Sequence, residues 1–180
     1  FDIVIGNPPY VNFANIKSAE YRAILKEKFY STKNKCDLYA FFIEFGFDLL
    51  NNHGIITYIV PHTWKATDSF KNLREIIFTK HKMLKIVNQK MGVFDAVVNP
   101  MIILLSNAYE NNYEIDVYDG IGNFKYKLNV EEIKNDTGKT NAIAYFSSME
   151  GIVVVNEENI TKWTFLHEVL GHGSTQARIN

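Results

Sequence analysis

Phe1-Asp2-Ile3-Val4-Ile5-Gly6-Asn7-Pro8-Pro9-Tyr10 is the stretch that decides the fold: an apolar, β-rich run empties directly into Asn-Pro-Pro-Tyr. Proline locks φ near about −65° and removes a donor, and a residue that precedes proline is pushed into an extended conformation. Asn7 and Pro8 both precede prolines. Residues 7–10 are therefore expected to leave the strand as a stiff, extended segment whose carbonyls find few local partners. The Asn7 amide, the Pro8 carbonyl and the Tyr10 ring then project together from a strand end. Such a set can hold a flat, amino-bearing group.

The chemistry open to it follows from the electronics of a base. An exocyclic amine is a poor nucleophile because its lone pair is delocalised into the ring. Two acceptors on its two hydrogens pull the nitrogen toward tetrahedral geometry and free that pair; the Asn7 side-chain oxygen and the Pro8 carbonyl are the candidates. Stacking of a base on the Tyr10 ring is worth about 1–3 kcal/mol, which helps offset the few kcal/mol needed to extrude a base from a duplex. With an activated methyl donor, positioning supplies most of the catalysis and no strong general base is required.

Downstream, Asp37 is placed to N-cap a buried helix running through Phe41, Phe42, Phe45, Phe47, Leu49 and Leu50, stopped by Asn51-Asn52-His53-Gly54. Ile55–Val60 is a continuous apolar run ending at Pro61, the pattern of a strand covered on both faces. After His62–Thr67, Asp68 or Ser69 is expected to cap a helix with the stripe Phe70, Leu73, Ile76, Ile77. A short strand Met83–Val87 follows, then a hydrophobic strand Val97–Leu105 in which Pro100 marks an edge position or an irregularity. This order is the second half of a doubly wound, Rossmann-like α/β sheet.

The tetrapeptide after an apolar strand resembles the catalytic motif of N6-adenine DNA methyltransferases that use S-adenosylmethionine. The later features, Asp37-Leu38-Tyr39, Gly54 through Pro61-His62-Thr63-Trp64, Leu73-Arg74 and Gly92-Val93-Phe94, resemble in their order the TaqI-like, type IIG-like restriction–modification class. That resemblance implies that Asn7 and Pro8 accept the amino hydrogens and Tyr10 stacks on a flipped adenine. It implies that Phe94 is a second aromatic against the same base, and that Pro9 and Phe42 line the adenosylmethionine pocket. For Phe42 the alternative is core packing, and for Phe94 a loop anchor under the sheet.

The resemblance also implies partners: double-stranded DNA, an N-terminal half of the same polypeptide, and a C-terminal target-recognition region. In the family, a Gly-rich loop and an acidic residue precede the tetrapeptide. Neither is found here, since Gly120-Ile121-Gly122 lies between alternating segments and reads as a hairpin turn. The chain is thus expected to be a piece of a longer enzyme, inactive and poor at binding cofactor alone. Residues 1–108 form the later half of the catalytic domain, and 109–180 a small β-rich appendage leading into target recognition. Protein-glutamine and RNA-base methyltransferases share the tetrapeptide but usually end near the last sheet strand, whereas this chain continues. A non-catalytic module, with the tetrapeptide as a turn only, is the remaining reading.

Composition bounds the rest. The 180 residues, 47% hydrophobic, suffice for one core plus an appendage. Cys36 is the single cysteine, so there is no intramolecular disulfide, and a reducing prokaryotic cytoplasm fits. No apolar run approaches membrane-spanning length, as Glu44 and Asp48 interrupt the longest. The net charge of −1 conceals a division. Residues 11–35 carry six cations (Lys17, Arg22, Lys26, Lys28, Lys33, Lys35) against Glu20 and Glu27. This is either a loop suited to phosphate contacts or a solvated helix face. Tyr113–Tyr118 and Phe124–Val130 alternate as a hairpin. His167 and His172 stand at i and i+5, about 140° apart on a helix, which does not match a zinc-ligand pair.

Overall fold

A computed structural model describes residues 1–65, 67–89 and 99–130, within the first of two compact units, Phe1–Glu132 and Ile133–Asn180. Six strands, β1 (Ile3–Gly6), β2 (Ile55–Pro61), β3 (Lys82–Asn88), β4 (Pro100–Ser106), β5 (Glu114–Asp119) and β6 (Phe124–Asn129), form one sheet in the order β1-β2-β4-β3-β5-β6. Helices α1 (Ala19–Lys28) and α2 (Leu38–Leu49) connect β1 to β2, and α3 (Lys71–Lys80) connects β2 to β3. β1 runs parallel to β2, and β3 parallel to β5. The α/β architecture is the expected one.

The place of β4 is not. It inserts between β2 and β3, antiparallel to both, so Pro100 does not mark an edge. Proline is tolerated there because it is the first strand residue, opposite Pro61. The irregularity lies instead in β3, where the register shifts between Met83 and Lys85. The hairpin is present as β5 and β6, with Gly122 at φ 87° in its turn.

One sheet face forms the core. Ile56, Tyr58 and Val60 stand opposite Leu105, Ile103 and Met101, and all are buried; Met83 and Ile86 continue the layer. Helix α2 lies on it so closely that a Cβ on Gly46 would meet Ile56 Cδ1 at 2.9 Å and the Tyr58 hydroxyl at 3.2 Å. The reverse face differs. Ile55, Thr57, Ile59, Ile102 and Leu104 are only half-buried, and Ile3 and Ile5 of β1 are 59% and 75% exposed. Coverage of β2 on both faces, expected from its apolar run, is met on one face among the described residues. Both α2 and α3 pack on the same side.

Helix ends also depart from the expected caps. Asp37 occupies the N-cap of α2 but makes no capping bond; its carboxylate accepts from Asn12 Nδ2 at 3.1 Å. Neither Asp68 nor Ser69 caps α3: Asp68–Phe70 form a 3-10 turn and Phe70 stands at the N-cap. Past α2, His53 takes the left-handed φ of 64°. Gly54 is needed for a different reason, since its Cβ would lie 2.9 Å from Leu50 Cδ2 and 3.0 Å from the Asn51 carbonyl.

The basic stretch after Tyr10 contains a helix. Ser18 Oγ accepts from Tyr21 N to start α1, and a 3-10 turn Tyr30–Lys33 follows. Glu44, one of two carboxylates on the largely apolar α2, accepts from Tyr30 N at 2.9 Å and Ser31 N at 2.7 Å. It ties that turn to α2. Among the described residues no helix is long and apolar enough to cross a membrane, and no His/Cys/Asp/Glu group could hold a metal ion. His167 and His172 lie outside the described residues.

Candidate functional site

The tetrapeptide leaves β1 at the carboxyl edge of the sheet, where ligands of open α/β sheets bind. Pro8 is buried, while Asn7 and Pro9 are exposed; among the described residues the Asn7 amide has no hydrogen-bond partner. Tyr10 is half-buried. Its hydroxyl donates to the Ile59 carbonyl at 2.9 Å, which fixes the tip of the ring against β2, and burial raises its pKa. The backbone beyond Tyr10 is tied to the start of α2. Leu38 N donates to the Val11 carbonyl at 2.8 Å and Phe13 N to that of Cys36 at 3.0 Å.

Tyr10 is backed by a second tyrosine. Tyr39 packs edge-on to it, ring centroids 6.3 Å apart at 84°, and stacks on Phe70 at 5.0 Å and 19°. Tyr39 is fully buried. Its hydroxyl shares a 3.1 Å hydrogen bond with Thr63 Oγ1, and burial pushes its pKa far up. The Pro61-His62-Thr63-Trp64 turn is held by its own contacts. His62 N donates to the Asn99 carbonyl at 3.0 Å, and Trp64 Nε1 donates to Met101 Sδ at 3.3 Å. Arg74 Nη1 donates to the carbonyls of Trp64 (2.7 Å) and Thr67 (2.8 Å). Burial of this guanidinium lowers its pKa, against the opposing pull of Asp68.

The structure thus gathers Tyr10, Tyr39, Thr63 and Phe70 at one edge. Phe42 stands apart from that aromatic group, half-buried with its ring edge-on to Phe41 at 5.2 Å. Phe94 lies outside the described residues. The supporting roles of Tyr39 and Arg74 had a signal in the sequence: a tyrosine in an apolar helix and an arginine beside a core leucine both need buried partners.

Residues 1–94 match the model of the Eco57I restriction-modification methylase family. That is more than half of the chain. The protein belongs to the Eco57I restriction-modification methylase family. Its later segment is similar to relatives too: the type II restriction enzyme and methyltransferase RM.Eco57I of Escherichia coli is 30% identical over 135 residues, which are 73% of this chain and 13% of that protein. Among solved structures, the type IIG restriction endonuclease BpuSI superposes with a TM-score of 0.60 at 18% identity, over 83% of this chain and 21% of that one. The type ISP restriction-modification enzyme LlaGI, solved as a nuclease-deletion mutant with a DNA substrate mimic, gives a TM-score of 0.50 at 22% identity over 68% and 14%. The chain therefore spans a small part of the proteins it resembles, and the two structures speak for the fold.

Proposed function

We propose that this methylase-family chain carries the base-binding edge of an S-adenosylmethionine-dependent enzyme that methylates the N6 amino group of an adenine flipped out of duplex DNA. The observation that carries the reading is the pairing of an exposed Asn7 amide, unpartnered among the described residues, with a Tyr10 ring whose tip is anchored to Ile59. Asn7 Oδ1 and the Pro8 carbonyl accept the two amino hydrogens and localise the nitrogen lone pair. Tyr10 stacks on the base, with Phe94 as a second aromatic. Pro9 and Phe42 face the methyl donor.

Apolar side chains on the uncovered sheet face, Ile3 and Ile5 foremost, suit a further part of the enzyme that also supplies the remaining donor site. A parallel β1–β2 pair is normally buried on both sides. Residues 109–180 lead toward target recognition.

The test exchanges the matching 135-residue segment of RM.Eco57I for this one and measures labelled methyl transfer to duplex DNA, with the product identified after hydrolysis. The chimera is expected to yield N6-methyladenine, and Tyr10→Ala to lower transfer at least about a hundredfold with folding retained. Equal transfer by the Tyr10→Ala chimera would leave the tetrapeptide as a turn only.

A further inference from the structure

Helix α1 is poorly explained by the core. It buries a single residue, Leu25, while Tyr21 and Ile24 remain 53% and 41% exposed. Tyr21, Ile24 and Lys28 are spaced three and four apart and share one stripe. An apolar pair held in water on an otherwise charged helix is the kind of patch that marks a contact surface.

Three further observations say what it contacts. The segment containing α1 joins the carboxyl end of β1 to the start of α2, so it lies at the same sheet edge as Tyr10. It is rigidly tied there: Asn12 Nδ2 donates to Asp37, and Arg22 Nη1 donates to the carbonyls of Ile16 and Lys17. Its charge is one-sided, six cations against Glu20 and Glu27 over residues 11–35. Lys26 and Lys33 sit over the Phe13 and Tyr30 rings. Lys17, Lys28 and Lys35 are absent from the ion pairs of the described residues, which join Lys82 to Glu110, Lys125 to Asp119 and Lys127 to Glu114. Free lysines flanking an exposed aromatic suit a polyanion with stackable or apolar edges.

We propose that the Tyr21–Ile24–Lys28 stripe of α1, with Lys17 beside its amino end, is a duplex-DNA contact surface next to the extruded base. The lysines meet phosphates, and Tyr21 and Ile24 lie against the sugar and base edges. This rests on the adenine reading for the position of the DNA, but its own test is separate.

Fluorescence anisotropy follows labelled duplex DNA with the 180-residue chain between about 50 and about 200 mM salt. Lys17→Gln with Lys28→Gln is expected to reduce the slope of log affinity against log salt by about two, close to one for each phosphate that is no longer neutralised. Tyr21→Ser with Ile24→Ser is expected to weaken binding several-fold at an unchanged slope. Circular dichroism checks that these exposed substitutions leave the fold intact. An unchanged slope in the double-lysine variant, or no duplex binding by the unaltered chain at the lowest salt, overturns the proposal. Asn7→Ala keeps the two readings apart, since it is expected to abolish methyl transfer in the chimera and to leave the salt slope of the chain untouched.

Discussion

The two faces of the sheet are built from the same residue types and reach opposite ends. On one, Ile56, Val60, Ile103 and Leu105 are sealed under α2 and α3. On the other, Ile3 and Ile5 stand in water and Ile55, Ile59 and Ile102 are half-covered. Hydropathy along a strand reports that both faces are meant to be covered; it does not report by what. The packed face is sealed by this segment's own helices; the other face stands open among the described residues.

The sharpest way to break that contrast is a pair of identical truncations. Ile103→Ala, at a fully buried site, is expected to cost about 3–4 kcal/mol in urea unfolding through lost transfer energy plus a cavity. Ile5→Ala, at a site 75% exposed, is expected to stay within about 0.5 kcal/mol. Comparable losses at the two sites would mean that the reverse face is covered after all.

Arg74 sharpens the contrast from the polar side. It lies at 6% exposure and serves the Trp64 and Thr67 carbonyls. Arg74→Met keeps the apolar stem but strands both acceptors, at an expected cost of about 2–3 kcal/mol, measurable in the same unfolding assay.

The smallest effect is a pH dependence from the end of α3. His81 stacks on Phe47 with ring centroids 3.5 Å apart at 3°, and burial holds its pKa down to about 4, opposed by a hydrogen bond with Asn107. Folding therefore favours the neutral ring. The resulting stability is complete above the ordinary value of about 6.5 and declines as pH falls toward 4. Allowing for solvent at this half-buried ring, the loss is about 1–2 kcal/mol. His81→Phe is expected to flatten that part of the stability profile, and an equally steep profile in the variant would assign the decline to other groups.

What was legible in the sequence was local or strongly periodic. The β1 exit into Asn7-Pro8-Pro9-Tyr10, the buried face of α2, the strand ending at Pro61 and the β5–β6 hairpin each carry their cause within a few residues. Two features escaped for physical reasons. The insertion of β4 is a pairing across nearly fifty residues, between Ile56 and Leu105, and nothing in either strand states which neighbour it takes. Helix α1 buries only Leu25, so its apolar stripe was too thin to decide between the two readings of residues 11–35, a basic loop or a solvated helix face. At the site, the tetrapeptide stood out in the sequence, whereas the Tyr39–Thr63–Phe70 backing arises from three separate elements.

The insertion of β4 has a consequence for how the molecule comes into being. β2 and β3 never touch as neighbours; both must wait for residues 100–106. A chain emerging from the ribosome therefore holds the β1–β2 pair and an unpaired β3, each with an open strand margin, until the intervening strand arrives. Closure is a late, long-range event. Interrupting synthesis just before Pro100 would release a sticky, aggregation-prone precursor instead of a smaller domain.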